Sequence, residues 1–211
     1  MAKASGRILL TGFEPFGGMD KNPSGLLAQA LDGSEFSGFT ITGAELPVDC
    51  AQMPVRLYSL LEKIQPKAVI GLGLAVGRTA ISLERIGINL LDFKADNAGN
   101  GCYDRPIIEN GQAAYFSTLP LRAIEKELHS VGIPCYLSES AGLYLCNQML
   151  YTSLHYATTH RHITRAGFIH LPALPEMVTG TTGAHQPSMN FETQLAGISH
   201  ALSCVAAFLE K

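Results

Sequence analysis

The sequence predicts a single-domain α/β/α sandwich around a twisted, mainly parallel mixed sheet, spanning residues 1–211. Three observations lead there. Short apolar runs of strand length alternate with amphipathic segments of helix length, the order that places helices on both faces of a largely parallel sheet. The chain has 211 residues, 46% of them hydrophobic and 16% charged, and a chain of this size buries roughly 70% of the surface its unfolded form exposes. No repeat, low-complexity tract or linker divides it.

The elements follow in order. Arg7 to Gly12 is an apolar run ending in glycine and reads as a buried strand. FEPFGGMDKNPSG is then a loop, and Ser24 to Leu31 a helix with Ser24 as its N-cap. Thr40 to Leu46 alternates weakly, as a strand does. Asp49 to Ile64 is helical, with Met53, Leu57, Leu60, Leu61 and Ile64 on one face. Ala68 to Leu72 is a second buried strand. From Ala80 to Phe93 the period of two slips at Glu84-Arg85, because Ile81 and Leu83 keep one phase while Ile86, Ile88 and Leu90 keep the other; a bulge or a break between two strands produces such a slip. Ala95 to Arg105 is polar and rich in glycine, hence a loop. Leu119 to Val131 is a helix facing inward through Leu121, Ile124 and Leu128. Cys135 to Ser138 is a strand, Leu143 to Ala157 a helix, Ala166 to Leu171 a strand and Ser188 to Leu209 a closing helix.

Composition excludes several classes. Net charge is -3 and the 15 Lys and Arg are scattered, which is not the footprint of a nucleic-acid binder. No apolar run approaches the roughly 18 residues of a membrane span, and MAKASGRILL lacks the apolar core of an export signal. Five cysteines, Cys50, Cys102, Cys135, Cys146 and Cys204, include no CxxC pair. The odd count argues against a disulfide framework and against a zinc site on paired cysteines. Reduced thiols in the cytoplasm are the expectation.

In open α/β sheets ligands meet the loops at the carboxyl ends of strands. That rule selects FEPFGG, GLAVGR, SAGLYLC and IHLPALPE, each of which begins where an apolar run stops. Cys146 follows the turn SESAG near a helix start, where the partial positive charge and free N–H groups favour a thiolate and can stabilise an oxyanion. The plainer reading is a buried core cysteine. His170 closes the strand GFIH just before Pro172 and would face the same edge; the alternative is a structural hydrogen-bonding histidine. His155, His160 and His162 lie in a polar helix end and loop and read as solvated. Glu84 sits among apolar residues at the phase slip and needs a partner, since unpaired burial is costly. That partner is a histidine it would orient or, on sequence alone the better-supported reading, a neighbouring arginine, Arg85 or Arg78. The run Gly71-Leu72-Gly73-Leu74-Ala75-Val76-Gly77 invites a nucleotide-binding reading, but its spacing is GxGxxxG and no acidic residue closes a following strand at the required distance. Glycines there serve backbone approach or tight packing.

Taken together, LLTGFEPFGG with NPS, GLAVGRTAISLERIGIN, DNAGN, AGLYLCN and GFIHLPALPE resemble the pyroglutamyl peptidase I family of cysteine peptidases over residues 8 to 176, with a looser match at PSMNFE, 187 to 192. The resemblance implies a Cys-His-Glu triad. It places the nucleophile on Cys146, the general base and acid on His170, and the orienting carboxylate on Glu84. It implies that Phe13 and Phe16 line the slot for the pyroglutamyl ring, that Tyr144 and Leu145 also touch it, and that the backbone of Leu74 binds it. It further implies pyroglutamyl peptides as substrates, no metal or organic cofactor, no nucleic-acid or membrane partner, and a homo-oligomer, often a tetramer. Two features depart from the family pattern. Leu74 replaces the glutamine of many bacterial members, and FKADN, Phe93 to Asn97, is one residue shorter than the usual ARIPDN and lacks its arginine and proline. Rival readings are a non-catalytic or altered-specificity homologue, suggested by that loop, and a nucleoside- or phosphate-handling enzyme, suggested only by the glycine run.

Overall fold

The computed structural model describes residues 6–179 and 186–210. Residues 1–5, the opening of the segment read above for an export signal, lie outside them. The chain runs β1 (Gly6–Phe13), α1 (Pro23–Ala30), β2 (Glu35–Phe36), β3 (Phe39–Leu46), α2 (Gln52–Ile64), β4 (Ala68–Leu74), β5 (Ile81–Glu84), β6 (Ile86–Ile88), β7 (Leu91–Phe93), β8 (Cys102–Arg105), β9 (Ala114–Phe116), α3 (Leu121–Ser130), β10 (Cys135–Ser138), α4 (Leu145–Thr159), β11 (Arg165–Leu171), α5 (Pro175–Val178) and α6 (Phe191–Leu209).

Seven strands form the main sheet in the order β10-β5-β11-β4-β1-β3-β2. The block β11-β4-β1-β3 is parallel, β10 and β5 are parallel to each other, and β5 runs antiparallel to β11. The predicted mainly parallel, mixed sheet is therefore present. Its central strands are apolar throughout; every residue of β4 is buried, as befits a sheet covered on both faces. On one face Leu27 of α1, Ile124 and Leu128 of α3, and Ile198 and Leu202 of α6 share a core with Ile8, Leu10 and Ile70. On the other, Met53, Leu57 and Leu61 of α2 and Leu145 and Met149 of α4 pack with Leu9, Val69 and Phe168.

The phase slip at Glu84-Arg85 is a true break. Glu84 ends β5 in the main sheet, and β6 leaves it to pair with β9. The 95–105 segment is not loop throughout, because Cys102–Arg105 is a strand paired with β7. Very short strands of this kind, like β2 and β9, carry too few residues for periodicity to register. The first helix is also capped two residues earlier than expected. Asn22, not Ser24, is its N-cap, and Pro23 occupies the first helical position, where its missing N–H costs nothing. The Asn22 Oδ1 accepts from the Ser24 N–H at 3.1 Å and the Ser24 hydroxyl at 2.7 Å, while its Nδ2 donates to the Glu14 carbonyl at 3.0 Å. The Ser24 hydroxyl in turn accepts from the Phe13 N–H at 3.0 Å. This chain of bonds fixes the loop that carries Phe13 and Phe16. Gly12 allows the approach, since a Cβ there would run into the Ser24 backbone.

Asn22→Ala removes the cap and strands the buried Ser24 hydroxyl and Glu14 carbonyl; it is expected to lower unfolding free energy by about 1–2 kcal/mol in urea titration.

Candidate active site

Three parallel strands end beside one another at one edge of the sheet. β1 delivers Phe13, β4 delivers Leu74 and β11 delivers His170, and all three line a cavity of about 300 Å³. α4 brings Tyr144, Leu145 and Cys146 to the same cavity, and the loop after β1 brings Phe16. The structure thus gathers all five predicted pocket residues with the predicted nucleophile and base. Glu84 does not line the cavity; it is fully buried behind His170.

The register of two antiparallel strands sets the Glu84–His170 contact. Phe168 of β11 lies opposite Glu84 of β5, and His170 lies opposite Ser82. Side chains two residues apart on a strand share a face, so His170 is the diagonal neighbour of Glu84 on that face. Its Nδ1 lies 2.8 Å from the Glu84 Oε1. The same oxygen accepts from Arg78 Nη1 at 2.5 Å. A guanidinium only donates, so Oε1 acts as an acceptor, and the imidazole presents Nδ1–H to it. The other ring nitrogen, Nε2, is left as the basic one. Of the two arginines weighed from sequence, Arg78 pairs with Glu84 together with His170, whereas Arg85 bridges Glu139 instead. The carboxylate therefore has both partners that sequence reading treated as alternatives.

Cys146 is the second residue of α4. The first bond of that helix runs from the Gln148 N–H to the Tyr144 carbonyl at 3.1 Å, so the N–H groups of Leu145, Cys146 and Asn147 precede the ladder. Its sulfur rests over Gly73, which lies opposite His170 in the β4–β11 register. A Cβ on Gly73 would meet Cys146 Sγ at 2.9 Å and the Phe168 ring at 2.7 Å. A Cβ on Gly71 would likewise strike Met149 and Phe168. The glycine run therefore serves close packing of α4 on the sheet and offers no phosphate cradle.

The electrostatics differ from the expectation of a helix start that acidifies the thiol. Burial pushes the Cys146 thiol up to about 12, and the nearby Glu84 charge adds to this; Arg78 and the residue's own N–H pull the other way without prevailing. Cys146 nonetheless keeps part of its surface open to the cavity. Burial also lowers His170 from its ordinary 6.5, against the opposing pull of Glu84. Both effects penalise charge at a buried site, so they favour a neutral thiol and a neutral imidazole over the ion pair.

Sequence reading missed part of the wall. Asn22, Val48, Val76 and Ala141 also line the cavity; Asn22 lay within the NPS motif but was passed over as a helix lead-in. The Phe93–Asn97 loop does not line the cavity. It acts through Tyr144, whose ring meets Phe93 edge-on at 4.8 Å and whose hydroxyl donates to the Ala95 carbonyl at 3.4 Å. Asn97 Nδ2 ties the loop to the Pro15 carbonyl at 2.9 Å. The other histidines are less solvated than expected: His155 lies 3.0 Å from the Tyr115 hydroxyl, and His160 stacks on Tyr156 at 3.6 Å. Among the described residues one cluster, Asp49, Cys50 and Asp96, brings potential metal-ligating atoms within 4.8 Å. Asp96 there accepts N–H bonds from Cys50, Ala98 and Asn100, and Asp49 accepts those of Ala51 and Gln52, which accounts for the cluster by loop and helix-start geometry. No helix among the described residues is long and apolar enough to cross a membrane.

The chain is similar to known proteins along nearly its full length. A family model described as pyroglutamyl peptidase matches residues 6–208. The pyrrolidone-carboxylate peptidase of Pyrococcus furiosus is 44% identical over 199 residues, covering 93% of this chain and 96% of that protein. A protein of the same name from Vibrio vulnificus (strain CMCP6) is 45% identical over 193 residues, covering 91% of this chain and 89% of that protein. A solved structure of a mutant pyrrolidone carboxyl peptidase from Pyrococcus furiosus superposes with a TM-score of 0.94 at 43% identity, covering 96% of this chain and 99% of that one.

Gly73→Ala drives a methyl group into the seat of the sulfur. It is expected to leave far-UV circular dichroism unchanged and to alter iodoacetamide capture of Cys146, followed by peptide mass spectrometry, by about tenfold or more. Capture at the wild-type rate would show that the sulfur does not rest on Gly73.

Proposed function

This chain belongs to the pyroglutamyl peptidase family, and we propose that it removes N-terminal pyroglutamate from peptides by acyl transfer through Cys146, His170 and Glu84. The observation that carries the residue assignment is one cavity holding a cysteine at a helix start and a histidine whose far nitrogen is oriented by a buried carboxylate. Such a constellation is recognised by its roles rather than by chain order.

The resting pair is neutral, so the nucleophile forms during the reaction. His170 Nε2 takes the thiol proton as Sγ attacks the carbonyl joining pyroglutamate to the next residue. Glu84 keeps Nδ1–H in place and supports the imidazolium. The N–H groups ahead of the α4 ladder are the donors for the oxyanion. The C–N bond then breaks, the imidazolium protonates the leaving amine, and a pyroglutamyl thioester remains. Water, deprotonated by His170, hydrolyses that thioester and restores the thiol. No step invokes a metal or organic cofactor.

Phe13, Phe16, Leu74, Tyr144 and Leu145 supply the specificity. The lactam ring is flat and uncharged, which suits a wall that is largely apolar, and by family resemblance the backbone of Leu74 pairs with its amide. A site built around those bonds rejects an N-terminal proline, which lacks the lactam carbonyl and carries a charge. In this reading the whole chain is one catalytic domain, works in the cytoplasm with reduced thiols, and assembles as a homo-oligomer, a tetramer by family resemblance. The exposed rings of Phe116 and Tyr103 are surfaces that assembly would cover, and light scattering of the purified protein gives its mass directly.

Hydrolysis of a fluorogenic pyroglutamyl amide tests the reading. Wild type is expected to turn it over, and Cys146→Ala to lose turnover; equal rates, or none from either, would sink it. Glu84→Gln is expected to reduce kcat by about 10²–10⁴-fold with the fold intact. Because burial holds His170 below 6.5, its neutral basic form persists below that pH. The acid limb of kcat/KM, which reports the free enzyme, is therefore expected to have its midpoint below 6.5; a midpoint above 7 would contradict a neutral resting pair.

A further inference from the structure

Arg78 is a charged group beside the triad with no part in the steps of the proposed reaction. It follows Gly77, which adopts φ of +90°, at the end of the segment after β4. Its side chain is about one-fifth exposed, whereas Glu84 is fully buried. One terminal nitrogen, Nη1, donates to Glu84 Oε1 at 2.5 Å and reaches the Ser138 hydroxyl at 3.4 Å. The other, Nη2, donates to the Ser140 carbonyl at 3.1 Å. Ser138 and Ser140 are bonded to each other as well: the Ser138 hydroxyl donates to the Ser140 carbonyl at 3.2 Å and lies 3.4 Å from the Ser140 N–H. This turn closes β10 and runs through Ala141, a cavity residue, and Gly142, with φ of +80°, into the helix of Cys146.

We propose that Arg78 is a positioning residue for the reaction, a single guanidinium that aims Glu84 at His170 and at the same time fixes the Ser138–Ser140 turn that delivers Cys146. The proposal rests on the triad reading above.

Two physical arguments support it. First, both donors to Glu84 converge on Oε1, while Oε2 is buried with no hydrogen-bond partner among the described residues. Among those residues Arg78 and His170 are the side chains that hold the rotation of that carboxylate. An ionised carboxylate this deep, with one neutral imidazole as its sole donor, would lack the compensation that buried charge requires. Second, beside the larger effect of burial, the charge of Arg78 also disfavours a proton on His170. The groups with charge or titrating protons that face His170 are Glu84 from β5, Arg78 from the β4–β5 connection and Cys146 from α4. With Arg78 present, the Glu84–Arg78 pair is neutral overall and the imidazole stays empty, ready to accept the thiol proton. Without it, the Glu84–His170 pair carries an uncompensated negative charge and binds a proton more tightly, whichever partner holds it. The imidazole is then less available as a base near its titration midpoint.

The test uses Arg78→Gln and Arg78→Lys in the full chain, with wild type and Cys146→Ala assayed beside them on the fluorogenic pyroglutamyl amide. Arg78→Gln is expected to lower kcat by about 10- to 100-fold, less than the ~10⁴-fold cost of removing a triad orienter, with KM within about threefold. Its acid limb of kcat/KM is expected to move upward by about half a pH unit or more, the signature of the lost cation. Arg78→Lys keeps the charge but not the two-pronged hold on the turn, so its acid limb should stay at the wild-type pH while kcat falls several-fold. An Arg78→Gln protein with wild-type kcat and pH profile overturns the inference. If Arg78→Gln does not fold, Arg78→Lys decides: a wild-type kcat overturns the inference, and a reduced kcat on an unmoved limb supports it. Absence of turnover in the wild type, or turnover surviving in Cys146→Ala, would instead overturn the peptidase reading, so the two failures are distinct.

Discussion

The antiparallel register between β5 and β11 is the constraint on which the site depends. Glu84 faces Phe168 across that pair, and this sets the carboxylate diagonally beside His170. A slip of one residue would turn Glu84 to the opposite face of the sheet, away from its imidazole. The register is held from both sides. β5 is clamped between β10, where Ser138 lies opposite Glu84, and β11, which is itself locked along seven positions to β4. The strand ends at once after Glu84, because the chain leaves for β6, so the acid stands at the rim of the sheet while remaining fully buried.

Within that frame, desolvation governs the chemistry. A cysteine at a helix start is commonly read as a ready thiolate, and the exposed N–H groups do act in that direction. Here burial outweighs them. The same burial that raises the thiol lowers the imidazole, so both groups are biased toward their neutral forms. In the proposed reaction an incoming carbonyl offers the negative charge an oxygen facing backbone donors in place of the sulfur.

Much of this was legible in the sequence. Each central strand was an apolar run too short for a helix, and the break after Glu84 was visible as a change of phase between Ile81-Leu83 and Ile86-Ile88. Cys146 stood out because it follows a glycine turn at a helix start, and His170 because it closes an apolar run just before Pro172; the family resemblance then assigned their roles. What was not legible depends on the third dimension. Asn22 caps the first helix in place of Ser24 because Pro23 already has the fixed φ of a helical residue, and Ser24 is then free to hold Phe13. The 102–105 strand is two-sided and mostly exposed, so it carries no alternation. Arg78 and Glu84 were recognised as possible partners, but no periodicity shows that two donors meet on one oxygen. The direction of the thiol shift depends on how much solvent a folded cavity admits, which residue spacing does not encode.

Strand order also bears on how the enzyme comes into being at the ribosome. β1 pairs with both β3 and β4, and all three end by residue 74, so this part of the sheet has its pairings early except along the outer edge of β4. β5 has neither of its neighbours then. They are β10 and β11, and β11 must enter between β4 and β5 before either edge is satisfied. Glu84 therefore waits for roughly ninety residues of later chain before its histidine exists beside it, a separation that makes such pairings late events in folding. A chain that stops short of β11 holds Cys146 but lacks the imidazole that Glu84 faces. Entry of β11 between β4 and β5 is thus the event that assembles the site.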